Sequence, residues 1–472
     1  MSLAPPRLAP VFNLIRLILL TAVPFAAAAA PAPVAVAPAG ADQDLASARA
    51  VAARVAAEQG LAGLDLPADP QAALIAYARA QHGGRLPPGT FLPDWAIRPA
   101  AMDAAHDLAG ALAERRLSSW LAALPPTDDR YARLTRAYTR YLAIASRGGW
   151  PALASKPTLG PGDSGEAVEA LRRRLAIEDP VPASAPAPGA SPATASPVYD
   201  AALTAAVTRA QDRYGLTADG RAGPATIAAL NAPVEARLLQ IRANLERWRW
   251  APRTLPAYRV ELNTAAATLE LRDGGRAAMT MRAIVGRAGK ATPMFADNIK
   301  AVVFNPPWNV PADIAAREIW PKIRRNPAYM AREGFVVRPG GGLQQRPGPR
   351  CALGAVKFDL SNPFGVYLHD TPARSLFALD RRALSHGCMR LESPTDLAKR
   401  LLAGDPAWPE TAINLALLNG QTVRAQLRTA VPVFVFYWTA FVDDDDHIGF
   451  RPDVYRWDEQ LAARLRAAGH GL

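Results

Sequence analysis

The residues with most capacity for chemistry fall in one stretch, Tyr367-Leu-His-Asp-Thr-Pro372 followed by Leu384-Ser-His-Gly-Cys-Met-Arg-Leu391. It contains Cys388, one of two cysteines, and two of the six histidines, His369 and His386. A free thiol has a pKa of roughly 8.5 and is a weak nucleophile at neutral pH, so reactivity asks for a nearby imidazole to take its proton. His369 ends a run, Gly365-Val-Tyr-Leu-His369, that reads as a strand. Strand side chains alternate faces, which puts Tyr367 and His369 on one surface and turns Val366 and Leu368 to the core. Gly387 lets the backbone come close, so amides around Cys388 could face a developing oxyanion. Ser393-Pro394 fits an N-cap and first helical residue, with Leu397 and Leu401 inward. The thiol would then sit just before a helix whose positive end favours thiolate.

His369, then nineteen positions on Cys388 within Ser-His-Gly-Cys-Met-Arg, resembles the signature of the L,D-transpeptidase (YkuD-type) catalytic domain. That family cross-links or remodels bacterial peptidoglycan through a cysteine thioester. The resemblance implies Cys388 as nucleophile and His369 as general base, with Gly387, Tyr367, Ser385, His386 and Arg390 stabilising the oxyanion or positioning substrate. His386 would shape the loop by hydrogen bonding. Arg390 would hold a stem carboxylate or pair with an acidic neighbour such as Glu392. Asn305-Pro-Pro-Trp-Asn-Val-Pro311, Ala352-Leu-Gly-Ala-Val-Lys-Phe358 and the run from Pro432 to Phe441 resemble the YcbB-type branch of the family. Other chemistries stay open for these residues. Cys388 could be a small buried hydrophobe, or a zinc ligand with His369 and His386, although no fourth ligand stands nearby in sequence. Cys351 fits an inert strand thiol or a redox partner of Cys388.

The elements that must position this stretch form an α+β, multi-domain chain. At 472 residues it is too long for one ordinary core. Arg7 and Arg16 precede a short apolar run ending in small residues near Ala30, the layout of a secretory signal peptide (1–30) or an uncleaved anchor. An Ala/Pro-rich linker follows at 31–43. Helical periodicity marks a scaffold over 44–155 and 232–254, where Val234, Leu238, Ile241, Leu245 and Trp248 recur at four-three spacing. Inserted within it, 156–231 reads as three short helices around one small core. Together with Tyr214-Gly-Leu-Thr-Ala-Asp-Gly220 and Gly223-Pro-Ala-Thr226, this resembles a peptidoglycan-binding module. Its 179–197 segment is a Pro/Ala/Ser insertion too poor in large apolar residues to pack.

From Tyr258 the period changes to two, and a mostly β catalytic domain is expected over 255–445. A glycine-hinged insertion at 311–350 is a candidate lid. Asp443–Asp446 with His447 reads as a charged turn, and 446–472 as a C-terminal tail.

Net charge is +12, but arginine is spread along the whole chain and no nucleic-acid-reading motif appears. An anionic wall polymer or membrane surface suits that charge equally well. The resemblance therefore implies an extracytoplasmic, periplasmic L,D-transpeptidase. Its partners are peptidoglycan stem peptides, a tetrapeptide donor and an amine acceptor, and it needs no metal or organic cofactor. Hydrolysis or exchange from the same thioester, or a non-catalytic wall-binding role, are the competing readings.

Overall fold

The computed structural model describes residues 41–155, 157–179 and 197–471. The expected leader, most of the linker and nearly all of the 179–197 insertion lie outside them. Among the described residues nine α-helices come first: α1 (Ala41–Glu58), α2 (Pro70–Gly83), α3 (Ala104–Ala113), α4 (Leu117–Ala123), α5 (Asp129–Ser146), α6 (Glu166–Glu178), α7 (Ala201–Tyr214), α8 (Pro224–Leu230) and α9 (Val234–Trp250). Several start where the sequence offers a side-chain acceptor: Asp69, Asp128 and Asp200 each accept from a backbone N–H of the first turn. Among the described residues no helix is long and apolar enough to cross a membrane.

The sequence pattern shows one apolar stripe on α9, yet the helix is buried on nearly every side, Glu246, Arg247 and Arg249 included. Charge at such depth must be paired. Glu246 meets Arg85 and Arg249, and Arg247 meets Asp458 at 2.5 Å. The three helices of the 156–231 module do not bury a separate core, as had been expected. Val168, Leu171, Leu203, Val207 and Leu230 belong to the same apolar cluster as Tyr141 of α5 and Ile241 of α9. Glu178, at the end of α6, ties the two together by accepting from the Tyr141 hydroxyl at 2.7 Å and the Tyr214 hydroxyl at 2.6 Å.

The region after α9 has β1 (Arg259–Asn263), β2 (Thr268–Asp273), β3 (Arg276–Gly286), β4 (Phe295–Phe304), β5 (Trp308–Asn309), helices α10 (Ala312–Ile314), α11 (Trp320–Arg325) and α12 (Ala328–Arg332), then β6 (Phe335–Val337) and β7 (Leu343–Gln345). It continues with β8 (Val356–Asp359), β9 (Leu368–His369), β10 (Ala383–Ser385), β11 (Met389–Leu391), α13 (Pro394–Leu401), α14 (Glu410–Leu418) and β12 (Val423–Phe436). The main sheet runs β10-β3-β11-β9-β8-β4-β12-β1-β2, and β2 also pairs with β3. All strands except β10 therefore close into a barrel, which leaves no free edge among them. Alternation along each strand fills its interior with Val260, Leu262, Leu269, Met281, Val302, Phe358, Leu368 and Met389.

Strands β5, β6 and β7 form a small separate sheet over the insertion helices, with its own cluster of Ala315, Ile319, Phe335 and Leu343. A π-helical turn, Ala315–Ile319, joins α10 to α11. The stretch 446–472 is not a tail: β13 (Ala440–Val442) and β14 (Ile448–Phe450) make a hairpin, and α15 (Trp457–Ala467) buries Trp457, Leu461 and Leu465 in the same cluster as α9. Asp443 and Asp444 sit in the hairpin turn; Asp443 accepts from the N–H of Asp445 and His447.

Candidate active site

Register decides what meets at Cys388. Strand β11 runs parallel to β9 with Met389 opposite Leu368 and Arg390 opposite His369, and β8 runs antiparallel on the other side with Lys357 opposite His369. Leu368, Met389 and Phe358 point into the barrel, so their chain neighbours point outward. One outer patch thus gathers Lys357, Tyr367, His369, Cys388 and Arg390. Four of the five were singled out from sequence. Lys357 was not, because only the pairing of β8 with β9 brings it there.

Cys388 is partly buried and its thiol is free. Burial pushes the thiol up; the backbone N–H and hydroxyl of Tyr367, with Arg390 and Lys357, oppose this without overcoming it. The Tyr367 ring lies between partners: Lys357 Nζ is 4.8 Å from its centroid, its hydroxyl meets the thiol, and the Trp308 indole N–H reaches the same hydroxyl from the β5 side. The Tyr367 and His369 rings are 5.6 Å apart.

His369 is 4 % exposed. Its Nδ1 lies 2.5 Å from the Asp370 carbonyl oxygen, and the ring also reaches the Leu353 carbonyl. Burial, then the Arg390 and Lys357 charges, lower its pKa to about 3. The ring is therefore neutral at physiological pH and carries a single N–H, enough for one of those carbonyls. Imidazole and thiol share a face two residues apart in register, and the ring's hydrogen bonds go to Asp370 and Leu353. Arg390 is half-buried and makes no hydrogen bond or ion pair among the described residues; Cys388 is what its charge faces. Glu392, a candidate partner from sequence, pairs with Arg282 instead.

The loop before the thiol is held from several directions. The Ser385 hydroxyl donates to the Cys388 carbonyl at 2.6 Å and accepts from the Gly387 N–H at 3.1 Å. Thr292 donates to the Gly387 carbonyl at 2.7 Å, and the Tyr455 hydroxyl holds the Gly286 carbonyl at 2.6 Å. Gly387 has φ of 120°, a conformation that only glycine adopts without strain. With the Gly387 N–H engaged by Ser385, the Cys388 N–H is the nearby amide that donates to nothing among the described residues.

His386 turns away from its own loop. Its Nε2 is 2.6 Å from Glu318 on the π-helical turn and 2.9 Å from Arg287. Together with Lys290–Asp313 at 3.3 Å, this pins the 311–350 insertion to the catalytic loop. Helix α13 starts at Pro394 after Ser393, as the sequence indicates, but Ser393 gives no side-chain cap, and β11 stands between the thiol and the helix, so the helix end does not adjoin Cys388. Cys351 is buried, its thiol on the Pro306 carbonyl at 3.4 Å, and burial raises its pKa. Among the described residues no group of three or more His, Cys, Asp or Glu side chains is placed to hold a metal.

The eight-strand barrel thus presents on one outer patch a thiol, a neutral imidazole, Lys357 paired with Asp359 at 2.9 Å, and Arg390 with no ion pair among the described residues. Residues 257–408 match the model of the L,D-transpeptidase catalytic domain, 39–137 that of a scaffold domain, and 164–230 that of a peptidoglycan-binding domain. The chain thus carries a segment that matches the YkuD L,D-transpeptidase catalytic domain and another that matches a peptidoglycan-binding domain. A Haemophilus influenzae protein named as a candidate L,D-transpeptidase is 31% identical over 220 residues, covering 42% of this chain and 44% of that protein. The chain thus spans less than half the length of that relative. Among solved structures, the Xylanimonas cellulosilytica L,D-transpeptidase (residues 123–326) is 18% identical, covers 61% of this chain and 100% of its own, and has a TM-score of 0.21. The Mycobacterium smegmatis L,D-transpeptidase is 16% identical, covers 38% and 58%, and has the same TM-score of 0.21. Neither likeness is strong enough to add to the family match.

Proposed function

We propose that the protein is an exported L,D-transpeptidase of the YcbB-type branch, acting on peptidoglycan stems through a thioester on Cys388. The observation that carries this reading is the outer patch itself, where a free thiol faces the Tyr367 hydroxyl, an unpaired Arg390 and Lys357 beside a neutral His369. The family match and the N-terminal leader pattern support it from independent directions.

In the first half-reaction Cys388 Sγ attacks the carbonyl carbon of the third residue of a tetrapeptide stem. The C–S bond forms, the C–N bond to the terminal D-alanine breaks, and the thiol proton passes by way of the His369 ring to the leaving amine. The Cys388 N–H and the Tyr367 hydroxyl are the donors that face the oxyanion. Loss of one such donor typically costs about 2.7–4 kcal/mol. Arg390, half-buried and with no acidic partner among the described residues, suits the carboxylate that flanks the scissile bond. An amine of a second stem then attacks the thioester carbon and releases the thiol.

Incubation with defined disaccharide-tetrapeptides, followed by mass analysis, tests this. Dimers and a Cys388-linked acyl-enzyme are expected from the wild type, and neither from Cys388→Ala. Tripeptides without dimers would instead assign a carboxypeptidase. Unchanged substrate, with binding retained, would assign a wall-binding role.

A further inference from the structure

Arginine is spread along the chain, but net charge is not. From Arg317 to Arg350 the insertion carries eight Arg and Lys side chains against two carboxylates, a balance of +6 within a whole-chain +12. All eight cations are exposed. Both carboxylates are engaged already, Glu318 by His386 at 2.6 Å and Glu333 by Arg332 at 2.9 Å. The fold gathers several of the cations on α11, α12 and the end of the insertion. Lys322 Nζ and the Arg332 guanidinium approach the Tyr329 ring at 5.9 Å and 5.4 Å, and Arg350 donates to the Arg332 carbonyl at 2.7 Å. Arg324 and Arg325, in the last turn of α11, make no hydrogen bond or ion pair among the described residues. A helix C-terminus favours a cation or two in its last turn, which leaves most of the eight without a reason inside the molecule.

Like charges brought together repel one another, and an anion supplied from outside relieves that repulsion. Lasting hold on a bilayer takes an apolar face beside the cations. Here Trp320 and Ile323 of α11 and Met330 of α12 pack on the insertion's own apolar cluster, and Val337 is the one large apolar side chain that the insertion exposes. The patch therefore fits a hydrated polyanion better than a lipid surface.

Its place in the fold selects which polyanion. The insertion is held to the catalytic loop through His386, two residues before Cys388, and through Lys290 and Asp313. A polymer lying on the patch is thus one whose reacting group reaches the thiol. Each stem that is not cross-linked ends in a carboxylate, so a glycan strand with its stems presents carboxylates in a row. We propose that the exposed cations of the insertion hold the carboxylates of stems that neighbour the reacting one, by salt-screened attraction and not in a fitted pocket. The choice of stem peptide rests on the acyl transfer proposed above; the patch and its charge do not.

The test uses the full Cys388→Ala chain, so that binding is read without turnover, and measures its co-sedimentation with purified sacculi. Replacing Arg324→Gln with Arg325→Gln removes two exposed charges, replacing Arg324→Lys with Arg325→Lys keeps them, and equal melting temperatures show that both proteins fold. In about 0.1 M salt, where the Debye length is about 10 Å, the Gln pair should weaken binding at least about threefold and the Lys pair should not. The difference should vanish in about 1 M salt, where that length is about 3 Å. Sacculi whose carboxylates are capped as amides should bind the parent and the Gln pair alike. Equal binding of untreated sacculi by parent and Gln pair overturns the proposal, as does a loss that persists on capped sacculi. A Gln pair that loses phosphatidylglycerol vesicles while keeping sacculi also overturns it and assigns the patch to a lipid surface. In the Cys388 enzyme the Gln pair should raise KM for intact sacculi and leave kcat, and the reaction of a lone disaccharide-tetrapeptide, unchanged. A charge-dependent hold on sacculi in a chain that forms no Cys388 acyl-enzyme would refute the acyl transfer and leave the patch standing.

Discussion

The sharpest test of the site concerns the resting state of its proton. Burial raises the Cys388 thiol and depresses the His369 imidazole to about 3, so the pair rests as thiol and neutral ring, not as thiolate and imidazolium. With the thiol raised above its ordinary value, only a small fraction is thiolate at pH 7, and that fraction grows about tenfold per pH unit. Iodoacetamide reacts only with the thiolate, so alkylation of Cys388, followed by intact mass and peptide mapping between pH 6 and pH 9, should rise by one logarithmic unit per pH unit with no plateau. Cys351, 1% exposed, serves as a slow internal control. His369→Gln should change this alkylation little while lowering acyl transfer by about 10²- to 10⁴-fold, because the ring's role begins when substrate carries the proton onward. Tyr367→Phe removes a donor to the thiolate and should slow alkylation. A rate flat from pH 6 to pH 8 that becomes steep in His369→Gln would mean a preformed ion pair and refute this account of the electrostatics.

Two further outcomes follow from contacts that hold the site in place. Glu261 is buried between Arg130 and Arg259; burial alone would raise its pKa, but the Arg130 charge holds it below the usual carboxylate value. Glu261→Ala leaves Arg130 with Asp128 alone and takes from Arg259 its near carboxylate, and should cost about 3–5 kcal/mol in urea unfolding at pH 7. Since the native pKa is depressed, that contribution is present above the unfolded carboxylate value and is lost as pH falls through the lower native one, so the gap between wild type and variant should close in acid. The Glu318–His386 contact is half-exposed, with side chains 40% and 25% accessible, and a pair of that kind is worth up to about 1 kcal/mol. Glu318→Ala should therefore speed hydrogen exchange across 312–345 by up to about fivefold while leaving the barrel strands protected; equal exchange in both proteins would show that the contact does not latch the insertion.

The parts of this molecule that could be read from the chain are those set by local pattern. Period two between Tyr258 and Val285 became strands, period 3.6 with Asp128, Asp200 and Pro233 at the starts became helices, and the alternation around His369 survived although β9 itself is only two residues long. What could not be read depends on partners distant in sequence. Lys357 enters the site through a register between β8 and β9, and no local signal marks it. Arg390 beside Glu392 looks like a ready ion pair, but the two are neighbours but one on a strand, Arg282 arrives across from β3 to take the carboxylate, and Arg390 is left facing the thiol. The same holds for α9, whose polar face reads as solvated until the C-terminal helix α15 and its Asp458 cover it. Each of the three is settled by a pairing between elements far apart in the chain: β8 with β9 for Lys357, β3 with β11 for Arg390, and α9 with α15 for the buried charges of α9.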